Sequence, residues 1–485
     1  MLLNMTNKNS YVVSLDQGGH STRAIVFDRD GQVVLTEKVS MLVSRPQAGF
    51  VEQDAEQMLD SFFQIFDKLK FTMGTDIKRI SHAALATQRS NSVCWNKHSG
   101  KPLSPLISWQ DTRTLRELHR YPCQPDWIHE KTGLYLTAHY GASKYDWCLR
   151  ELPAVAAAYA EKTLYWGPLA SFLVFQLSQQ QGYYVDPANA SRTLLMNIRH
   201  LDWDEELLRC FNIEQATLPE IKPTYADYGR LKVLDVPLNV VCGDQSAALY
   251  AYGAPTAETV YINMGTGAFL QYFTGAESKH VSGLLTGVAA QLDGVPQYTL
   301  EATVNGAGSA LTFVEDELGM NYREAQACFS DWLLRECEPP LFLNGVSGLG
   351  SPFWQADFSS RFVSDNRSVE DWQKIVAVAE SILFLIATNL QRITATGLPV
   401  KQLWLSGGLS ATDALCQRLA DLCQLPLLRP EECEATARGI AALSLGLPQH
   451  WSQTRLTRFT PKPNSALLRR FHQWSDAMNL ALEAA

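Results

Sequence analysis

Two widely separated segments of the chain carry the same local pattern, in which an apolar strand leads through a glycine turn into a second strand. The first is YVVSLDQGGHSTRAIVFDRDG (Tyr11–Gly31) and the second is TVYINMGTGAFLQYFTG (Thr259–Gly275). β-Branched and aromatic residues favour strands, and glycines favour the tight turns between them. The repetition predicts two related halves. A break in the apolar pattern at GAP (253–255) predicts domains over residues 9–252 and 253–485.

Length and charge limit the classes of protein that the chain can belong to. With 485 residues, 46% of them hydrophobic, it exceeds what one core usually holds, so two cores are expected. A formal charge of -9 and a pI near 5.6 oppose the positive field that nucleic acid or an anionic membrane surface requires. We therefore expect neither nucleic acid nor a membrane surface as a partner.

Cysteine usage and apolar runs indicate the compartment. The ten cysteines include no C-x-x-C pair, so the sequence predicts neither a zinc site nor a disulfide framework. Met1–Ser10 has no hydrophobic signal core, and the uncharged run Ser381–Gln391 is too short to span a bilayer. These features predict a cytoplasmic protein without membrane insertion.

Local signals predict several elements directly. Strands are expected at Tyr11–Leu15, Arg23–Phe27 and Val33–Lys38, with the last two joined by a hairpin at Asp30-Gly31. Asp54 is expected to cap a helix, and the apolar spacing of Asp371–Thr394 predicts a largely buried helix.

Glycine turns are the candidate ligand-binding features. Each of the turns at Gly18, Gly265 and Gly407 is more typical of ordinary turn chemistry when considered alone, and a further turn could open a helix in VNGAGSALTF. Together they could present several sets of backbone N–H groups to a polyphosphate. Neither a Walker loop nor a Rossmann fingerprint is present. Asp244, at the start of a helical stretch, is equally compatible with an N-cap and with a catalytic carboxylate.

A set of motifs in collinear order resembles the FGGY carbohydrate kinases, and among them the glycerol kinases most. The motifs are SLDQGGHSTRAIVFD, GFVEQDAEQM, TQRSNSVCWNKHSGKPL, ISWQDTRT, NASRTLLMNIRHLDWDEELL, CGDQSAAL, NMGTGAFL, SGLGSPFWQAD, SGGLS and RPEECEATARGIAAL. The resemblance covers nearly the whole chain. It implies two α/β domains of the actin-like (ribonuclease-H-like) ATPase fold that close over ATP at an interdomain cleft.

The resemblance also implies roles for individual residues in ATP-dependent phosphoryl transfer. Asp16 would hold Mg²⁺ and Asp244 would be the catalytic base. The positions that match ATP contacts are Gly18, Gly19, His20, Ser21, Arg23, Gly265, Thr266, Gly308, Thr312, Gly408, Leu409 and Thr412. The positions that match acceptor contacts are Arg89, Ser90, Trp109, His139, Asp244, Gln245 and Phe269. Taken without the resemblance, Trp109 and Phe269 could be core aromatics, Arg89 could simply pair with an acid, and Arg23 could be a surface strand residue.

Five positions depart from the glycerol kinase pattern. Ser90 replaces a glutamate and His139 a tyrosine in the acceptor set, while Gly19-His20 replaces a pair of threonines and Thr412 an asparagine on the ATP side. His20 could donate to phosphate or point to solvent. Changes in buried polar contacts shift substrate choice strongly, so the two acceptor changes bear most on function.

Three functions therefore stay open. The first is an ATP-dependent kinase acting on a primary hydroxyl of a small polyol or sugar, with glycerol as the best single acceptor. The second is an FGGY kinase for a ketopentose or another four- or five-carbon polyol. The third, from a different class, is a non-catalytic ATP- or sugar-binding sensor. A homodimer or homotetramer is expected from the resemblance.

Overall fold

The computed structural model describes residues 10–335, 338–363, 368–431, 434–452 and 455–484. The first half contains thirteen described strands and eight described α-helices. The strands are β1 (Tyr11–Gln17), β2 (Ser21–Phe27), β3 (Val33–Ser40), β4 (Glu52–Gln53), β5 (Ile80–Thr87), β6 (Val93–Asn96), β7 (Leu106–Ile107), β8 (Leu164–Gly167), β9 (Tyr184–Val185), β10 (Met196–Asn197), β11 (Asp202–Trp203), β12 (Glu220–Ile221) and β13 (Leu238–Gly243). The helices are α1 (Ala55–Met73), α2 (Pro125–Thr132), α3 (Gly141–Glu151), α4 (Pro153–Ala160), α5 (Leu169–Leu177), α6 (Pro187–Ala190), α7 (Glu205–Phe211) and α8 (Asp244–Ala248).

The main sheet of the first half has the order β13-β5-β1-β2-β3. β1, β5 and β13 are parallel, whereas β2 and β3 continue antiparallel from β1. The parallel strands are buried along nearly their whole length, since both faces of the sheet are covered. The edge strand β3 instead alternates between exposed and half-buried residues.

The second half contains the remaining described strands and helices. The strands are β14 (Thr259–Met264), β15 (Ala268–Gly275), β16 (Leu285–Leu292), β17 (Val295–Val304), β18 (Phe342–Leu343), β19 (Arg361–Phe362), β20 (Gln402–Ser406), β21 (Leu427–Pro430) and β22 (Leu456–Phe459). The helices are α9 (Gly308–Glu317), α10 (Tyr322–Leu334), α11 (Asp371–Thr394), α12 (Asp413–Cys423), α13 (Ala435–Ser444) and α14 (Ser465–Glu483).

The main sheet of the second half repeats the plan of the first. Its order is β16-β17-β15-β14-β20-β21-β22, with β14, β20 and β21 parallel and β15 antiparallel to β14. The hairpin β14–β15 therefore corresponds to β1–β2, and β20 corresponds to β5. The predicted repetition of strand, glycine turn and strand is thus present in both sheets.

The elements predicted from local signals are confirmed. The three predicted N-terminal strands form an antiparallel meander with the predicted hairpin between β2 and β3, and Gly31 in that turn has a positive φ of 78°. Asp54 caps α1, because its side chain accepts from the backbone N–H groups of Glu56 and Gln57.

Helix α11 spans Asp371–Thr394 as predicted and lies in the core of the second half. By length and composition it could cross a membrane, contrary to the expectation from the shorter uncharged run. However, 83% of its most apolar window is buried inside the protein. Burial, rather than length, is therefore what makes it a core helix.

One cysteine pair differs from the expectation of reduced thiols. Cys123 and Cys210 are joined as a disulfide, with their Cα atoms 6.2 Å apart and a separation of 87 positions in sequence. Spacing rules could not find this pair because it connects the segment before α2 to helix α7 through the fold.

Helix α13 joins the two halves. It follows β21 in the chain but packs against β1, β5 and β13 of the first sheet and crosses α8. At the crossing, a Cβ atom on Gly439 would lie 1.9 Å from the carbonyl oxygen of Ala247, so only glycine fits there. The helix that begins with Asp244 is thus supported by the second half.

Candidate active site

The carboxyl ends of the parallel strands in the first sheet bring three predicted site segments together. Gln17 on β1 pairs with Thr87 on β5, and Thr87 pairs with Gly243 on β13. The next residues along each strand lead to Gly18, Arg89 and Asp244. Adjacent strands are about 4.8 Å apart, so these three segments share one edge of the sheet.

Asp16 lies at this edge with 1% of its surface exposed. Its Oδ2 accepts from Arg23 Nη2 at 2.6 Å, and Arg23 Nη1 donates to Glu434 of the second half at 2.5 Å. Burial raises the pKa of Asp16 to about 6 despite the opposing effect of Arg23, and the nearby carboxylates of Asp244 and Glu434 raise it further. Arg23 thus forms a charged contact between the halves.

The Gly18–Ser21 turn connects β1 and β2 as a hairpin, and it lies at the sheet edge where the parallel strands end. Gly18 N donates to Ser21 O at 3.0 Å, and the carbonyl of Gly19 accepts from Gln53 Nε2 at 2.9 Å. His20 is exposed, in accord with the solvent-facing alternative.

The glycine turns of the second half also converge. Gly308, at the start of α9, donates to the carbonyl of Gly265 at 2.9 Å, and Ser309 N donates to Thr266 O at 3.1 Å. Thr312 lies one turn further along α9, where its hydroxyl donates to Gly308 O at 3.2 Å.

The Gly407 turn follows β20 and lies beside the Gly265 turn, since Asn263 on β14 pairs with Ser406 on β20. Gly407 has a φ of 94°, and a Cβ atom there would lie 2.6 Å from Met264 O, so the close approach requires glycine. Gly408 and Leu409 follow directly, and Thr412 N donates to Leu409 O. The predicted ATP-contact positions of the second half therefore lie in one region.

Asp244 occupies the first residue of α8, directly after β13, and Gly243 rather than Asp244 is the N-cap. Its Oδ1 accepts from the backbone N–H of Gln245 at 2.7 Å. Burial raises the pKa of Asp244, although Arg89 and the Gln245 hydrogen bond act against the increase. The carboxylate is consequently a better proton acceptor than an exposed aspartate.

Arg89 is held on two sides. Its guanidinium donates to Gln245 Oε1 and to Glu301, with Nη1 to Oε1 at 3.1 Å. Glu301 lies on β17 of the second half and also accepts from Arg192 at 2.5 Å. The alternative that Arg89 pairs with an acid is therefore realised, and the acid comes from the opposite half.

Ser90, Trp109 and His139 gather beside Arg89. Trp109 N donates to the side chain of Asn91 at 2.9 Å, and the Trp109 and His139 rings lie 5.6 Å apart. Burial, with Lys144, Arg192 and Arg89 nearby, lowers the pKa of His139 well below its ordinary value, so its ring is neutral. Ser90 Oγ is buried and has no hydrogen-bond partner among the described residues.

Phe269 belongs to the same face of the second sheet as Glu301. Phe269 pairs with Thr303, and Gln271 pairs with Glu301, in the antiparallel ladder of β15 and β17. Paired residues, and residues two apart on a strand, share a face. Phe269 therefore lies on the sheet face whose Glu301 contacts Arg89, and it is partly buried rather than a core residue.

Sequence reasoning missed Glu301 and Arg192. The signal for Glu301 was a single charged residue inside the apolar strand YTLEATV, which is unusual for a buried strand. Arg192 carried no comparable signal, because its partner lies 109 residues away in the chain.

The site offers a metal ion one buried carboxylate rather than a full set of ligands. No group of three or more His, Cys, Asp or Glu side chains that could hold a metal exists among the described residues. Mg²⁺ keeps several waters and is commonly held by one or two carboxylates together with phosphate oxygens. Asp16, a buried carboxylate two residues before Gly18, fits that requirement.

Comparison with known proteins identifies the family. Models of the N-terminal and C-terminal domains of the FGGY family of carbohydrate kinases match residues 11–243 and 260–445. This chain belongs to the FGGY family. It is 33% identical over 461 residues to the glycerol kinase of Shewanella frigidimarina, covering 92% of this chain and 90% of that one. It is 31% identical over 447 residues to the glycerol kinase of Limosilactobacillus reuteri, covering 90% and 89%.

Solved structures show the same fold. A Plasmodium falciparum glycerol kinase with ADP has a TM-score of 0.86 at 24% identity, and a Lactobacillus acidophilus gluconate kinase has a TM-score of 0.86 at 19% identity. Each comparison covers 98% of both chains. This FGGY kinase thus has the two-domain actin-like α/β fold. It is an ATP-using phosphotransferase that acts on an alcohol group of a polyol or sugar.

Proposed function

We propose that this FGGY kinase transfers the γ-phosphoryl group of ATP to a primary hydroxyl of a small polyol, with glycerol as the best single acceptor. One observation carries the proposal. Asp244 lies at the same sheet edge as the Gly18 turn and beside Arg89, whose guanidinium is oriented by Gln245 and Glu301.

Phosphoryl transfer requires mainly positioning and charge neutralisation, because little covalent chemistry falls to the protein. Asp244 accepts the proton of the attacking hydroxyl as the new P–O bond forms, and its raised pKa favours that step. Arg89 and Gln245 hydrogen-bond the remaining hydroxyls, while the rings of Trp109 and Phe269 cover the carbon chain.

ATP lies between the glycine turns of the two halves in this proposal. The first turn supplies backbone N–H groups near the terminal phosphates, and the N-terminus of α9 contributes its dipole. The proposed ATP contacts are Gly18, Gly19, His20, Ser21, Arg23, Gly265, Thr266, Gly308, Thr312, Gly408, Leu409 and Thr412.

Asp16 is the proposed Mg²⁺-holding residue. The ion, when bound, would neutralise charge on the phosphate oxygens. Arg23 would then balance the excess negative charge that Asp16, Asp244 and Glu434 create at this edge.

The glycerol assignment is supported by the curated relatives, which are glycerol kinases and match nearly the full chain. A second candidate is a four- or five-carbon polyol or a ketopentose. It is favoured by Ser90, whose short side chain and unpartnered buried hydroxyl leave room and a hydrogen-bonding group for a longer acceptor. His139 and Ser90 are the proposed residues that decide between the two.

A coupled assay of ADP formation across glycerol, erythritol, the pentitols and the ketopentoses tests the proposal. Glycerol should give the highest kcat/KM. Turnover with a ketopentose or pentitol and not with glycerol would replace the first candidate with the second.

We also propose that the enzyme is cytoplasmic and forms a homodimer or homotetramer, with the division between domains at residues 252 and 253. The cytoplasm supplies ATP, and this family uses ATP. Light scattering on the purified chain measures the oligomeric state, and a monomer at micromolar concentration would exclude both assemblies.

A further inference from the structure

Lys144, on the first turn of α3, is completely buried. Its Nζ donates to three backbone carbonyls, those of Ser90 at 3.1 Å, Ser108 at 2.8 Å and His139 at 2.8 Å. An ammonium group has three N–H donors, so these three bonds use all of them. Burying a lysine is unfavourable unless its donors are satisfied, so this arrangement demands an explanation beyond packing.

The three carbonyls belong to three separate segments of the chain. One follows β5, one follows β7, and one precedes α3. Each segment presents a residue of the proposed acceptor pocket, namely Ser90, Trp109 (next to Ser108) and His139. No other contact described above joins all three segments at one atom.

Ser90 shows why such a connection is needed. Its φ of 64° lies in the left-handed region, which is unfavourable for a residue with a side chain and persists only when its surroundings hold it. The bond from Lys144 to the Ser90 carbonyl is one of the contacts that can hold that conformation.

We propose that Lys144 is a positioning residue for the acceptor pocket, whose ammonium fixes the segments carrying Ser90, Trp109 and His139 relative to one another. This inference rests on the proposed function of that pocket. Lys144 acts through the three backbone segments and does not itself contact the acceptor.

The protonation state of Lys144 gives the inference a measurable signature. Burial and Arg113 lower the pKa of Lys144 to about 7, while Asp111 and Cys148 act in the opposite direction. The groups that face it are Asp111 and Arg113 after β7, His139 before α3, Cys148 on α3, and Cys94 on β6 next to Cys148. Loss of the proton leaves two N–H donors for three carbonyls, so one segment is released.

Two neighbouring pocket groups do not titrate in this range. His139 stays neutral because burial lowers its pKa, and burial raises the pKa of Tyr140. The acceptor KM of the wild-type enzyme should therefore rise several-fold between pH 7 and 9, with the KM for ATP unchanged.

Stability should move in the opposite direction over that range. The unfolded chain holds the Lys144 proton up to about pH 10.5 and the folded chain only to about pH 7, so the unfolded state binds more protons between these values. The contribution of Lys144 to folding stability therefore becomes more favourable as the pH rises. A purely structural lysine would not weaken acceptor binding while the fold is stabilised.

Three variants test the inference. Lys144→Gln should raise the acceptor KM at least tenfold at pH 7 and leave the KM for ATP within twofold. Lys144→Arg keeps a permanent charge and several donors, so its acceptor KM should no longer increase between pH 7 and 9. Lys68→Gln is the control, because Lys68 is exposed and donates to a single carbonyl, that of Lys38.

Amide hydrogen exchange separates failure of this inference from failure of the proposed function. In Lys144→Gln, or in Lys144→Met if the glutamine variant does not fold, exchange should accelerate together in residues 88–92, 107–111 and 137–141, because neither side chain can donate to all three carbonyls. Hydrogen exchange can be measured even if the enzyme phosphorylates no polyol. Absence of polyol phosphorylation would refute the proposed function but would leave the positioning role of Lys144 to be judged by exchange. Unchanged exchange in the three segments would overturn the positioning role, as would an acceptor KM in Lys144→Gln equal to that of the wild type.

Discussion

At the scale of single residues, the acceptor side of the cleft depends on one buried glutamate that serves two arginines. Glu301 accepts from Arg89 and Arg192, and these two cations hold its pKa at about 2 although burial opposes them. Arg89 is thereby kept with its guanidinium beside Gln245 and Asp244. Ser90 supplies no carboxylate at the position where glycerol kinases carry a glutamate. The opposite half contributes the carboxylate of Glu301 beside Arg89, but this carboxylate is bonded to Arg89 and Arg192.

Replacing this carboxylate should affect both stability and acceptor binding. Glu301→Gln leaves two buried cations without a countercharge, which typically costs about 3–5 kcal/mol of unfolding free energy. The acceptor KM should rise more than tenfold, because Arg89 loses one of its two anchors. Steady-state kinetics and chemical denaturation measure the two effects.

The control for that prediction is a second buried glutamate that also accepts hydrogen bonds from two arginines. Glu380 accepts from Arg418 and Arg470 in the second half, away from the cleft. Glu380→Gln should lose comparable stability and keep the acceptor KM. Equal acceptor KM values in the two variants would contradict the role assigned to Glu301.

The lowered pKa of Glu301 also predicts a pH dependence of stability. Its contribution is fully present above pH 4.5, the ordinary value, and disappears as the pH falls towards about 2. Between pH 5 and 3, the wild type should therefore lose more unfolding free energy than Glu301→Gln. Parallel denaturation curves of the two proteins across that interval would argue against a charged Glu301 in the fold.

Asp244 is the residue on which turnover should depend most. Asp244→Asn removes the proton acceptor but keeps the shape, so kcat should fall by about 10²–10⁴ while the KM for ATP stays near the wild-type value. Asp293→Asn, in the exposed turn between β16 and β17, is the matched control and should leave both kcat and the KM for ATP unchanged. Near-normal turnover in Asp244→Asn would remove Asp244 from the mechanism.

At the scale of elements, the packing of α13 on α8 connects the second half to the helix that begins with Asp244. The two helices approach so closely at Gly439 that its missing side chain is what allows the contact. Asp244 therefore depends on a glycine from a helix late in the chain.

A methyl group at this crossing should be costly. Gly439→Ala forces α13 away from Ala247, and overpacking of this kind typically costs about 1–3 kcal/mol. Because α8 moves with it, kcat should fall as well. Gly446→Ala, just beyond α13 in open space, should cost about 1–2 kcal/mol through its positive φ and leave kcat unchanged. Thermal unfolding and kinetics of both variants check this.

The elements that sequence could predict are those specified by neighbouring residues. The Asp30-Gly31 hairpin, the Asp54 cap and α11 each depend on residues within one or two turns of the chain. The docking of α13 could not be predicted in this way, because ARGIAAL indicates only a helix with small residues. The surface against which it packs is made by strands more than 190 residues earlier in the chain.

At the scale of the whole molecule, charged contacts cross between the halves at several points. Arg438 of the second half donates across to the carbonyls of Gly31 and Ala251 and, within its own half, to that of Trp451, whose ring packs against Phe27 of the first sheet. Together with the bonds of Arg23 to Glu434 and Arg89 to Glu301, these contacts hold the cleft in its arrangement. The motifs indicated which residues form the site, but the partners of Arg89 and Arg23 depend on how the halves meet.

Removing the Arg438 contacts should weaken the coupling between the halves. Arg438→Met leaves three carbonyls without their donor, at a cost of about 3 kcal/mol. Calorimetric unfolding should change from one main transition to two resolved ones. Arg469→Met, an exposed arginine paired with Glu338, should keep the wild-type profile. A single unshifted transition in Arg438→Met would show that the halves are coupled elsewhere.

The most direct test of the central claim is ³¹P NMR of the wild-type enzyme with ATP, Mg²⁺ and glycerol, alongside Asp244→Asn. The account predicts a phosphate monoester on a primary hydroxyl that grows as ADP forms, requires the acceptor, and nearly disappears in the variant. Formation of ADP and inorganic phosphate at the same rate with and without any polyol or ketose would contradict it.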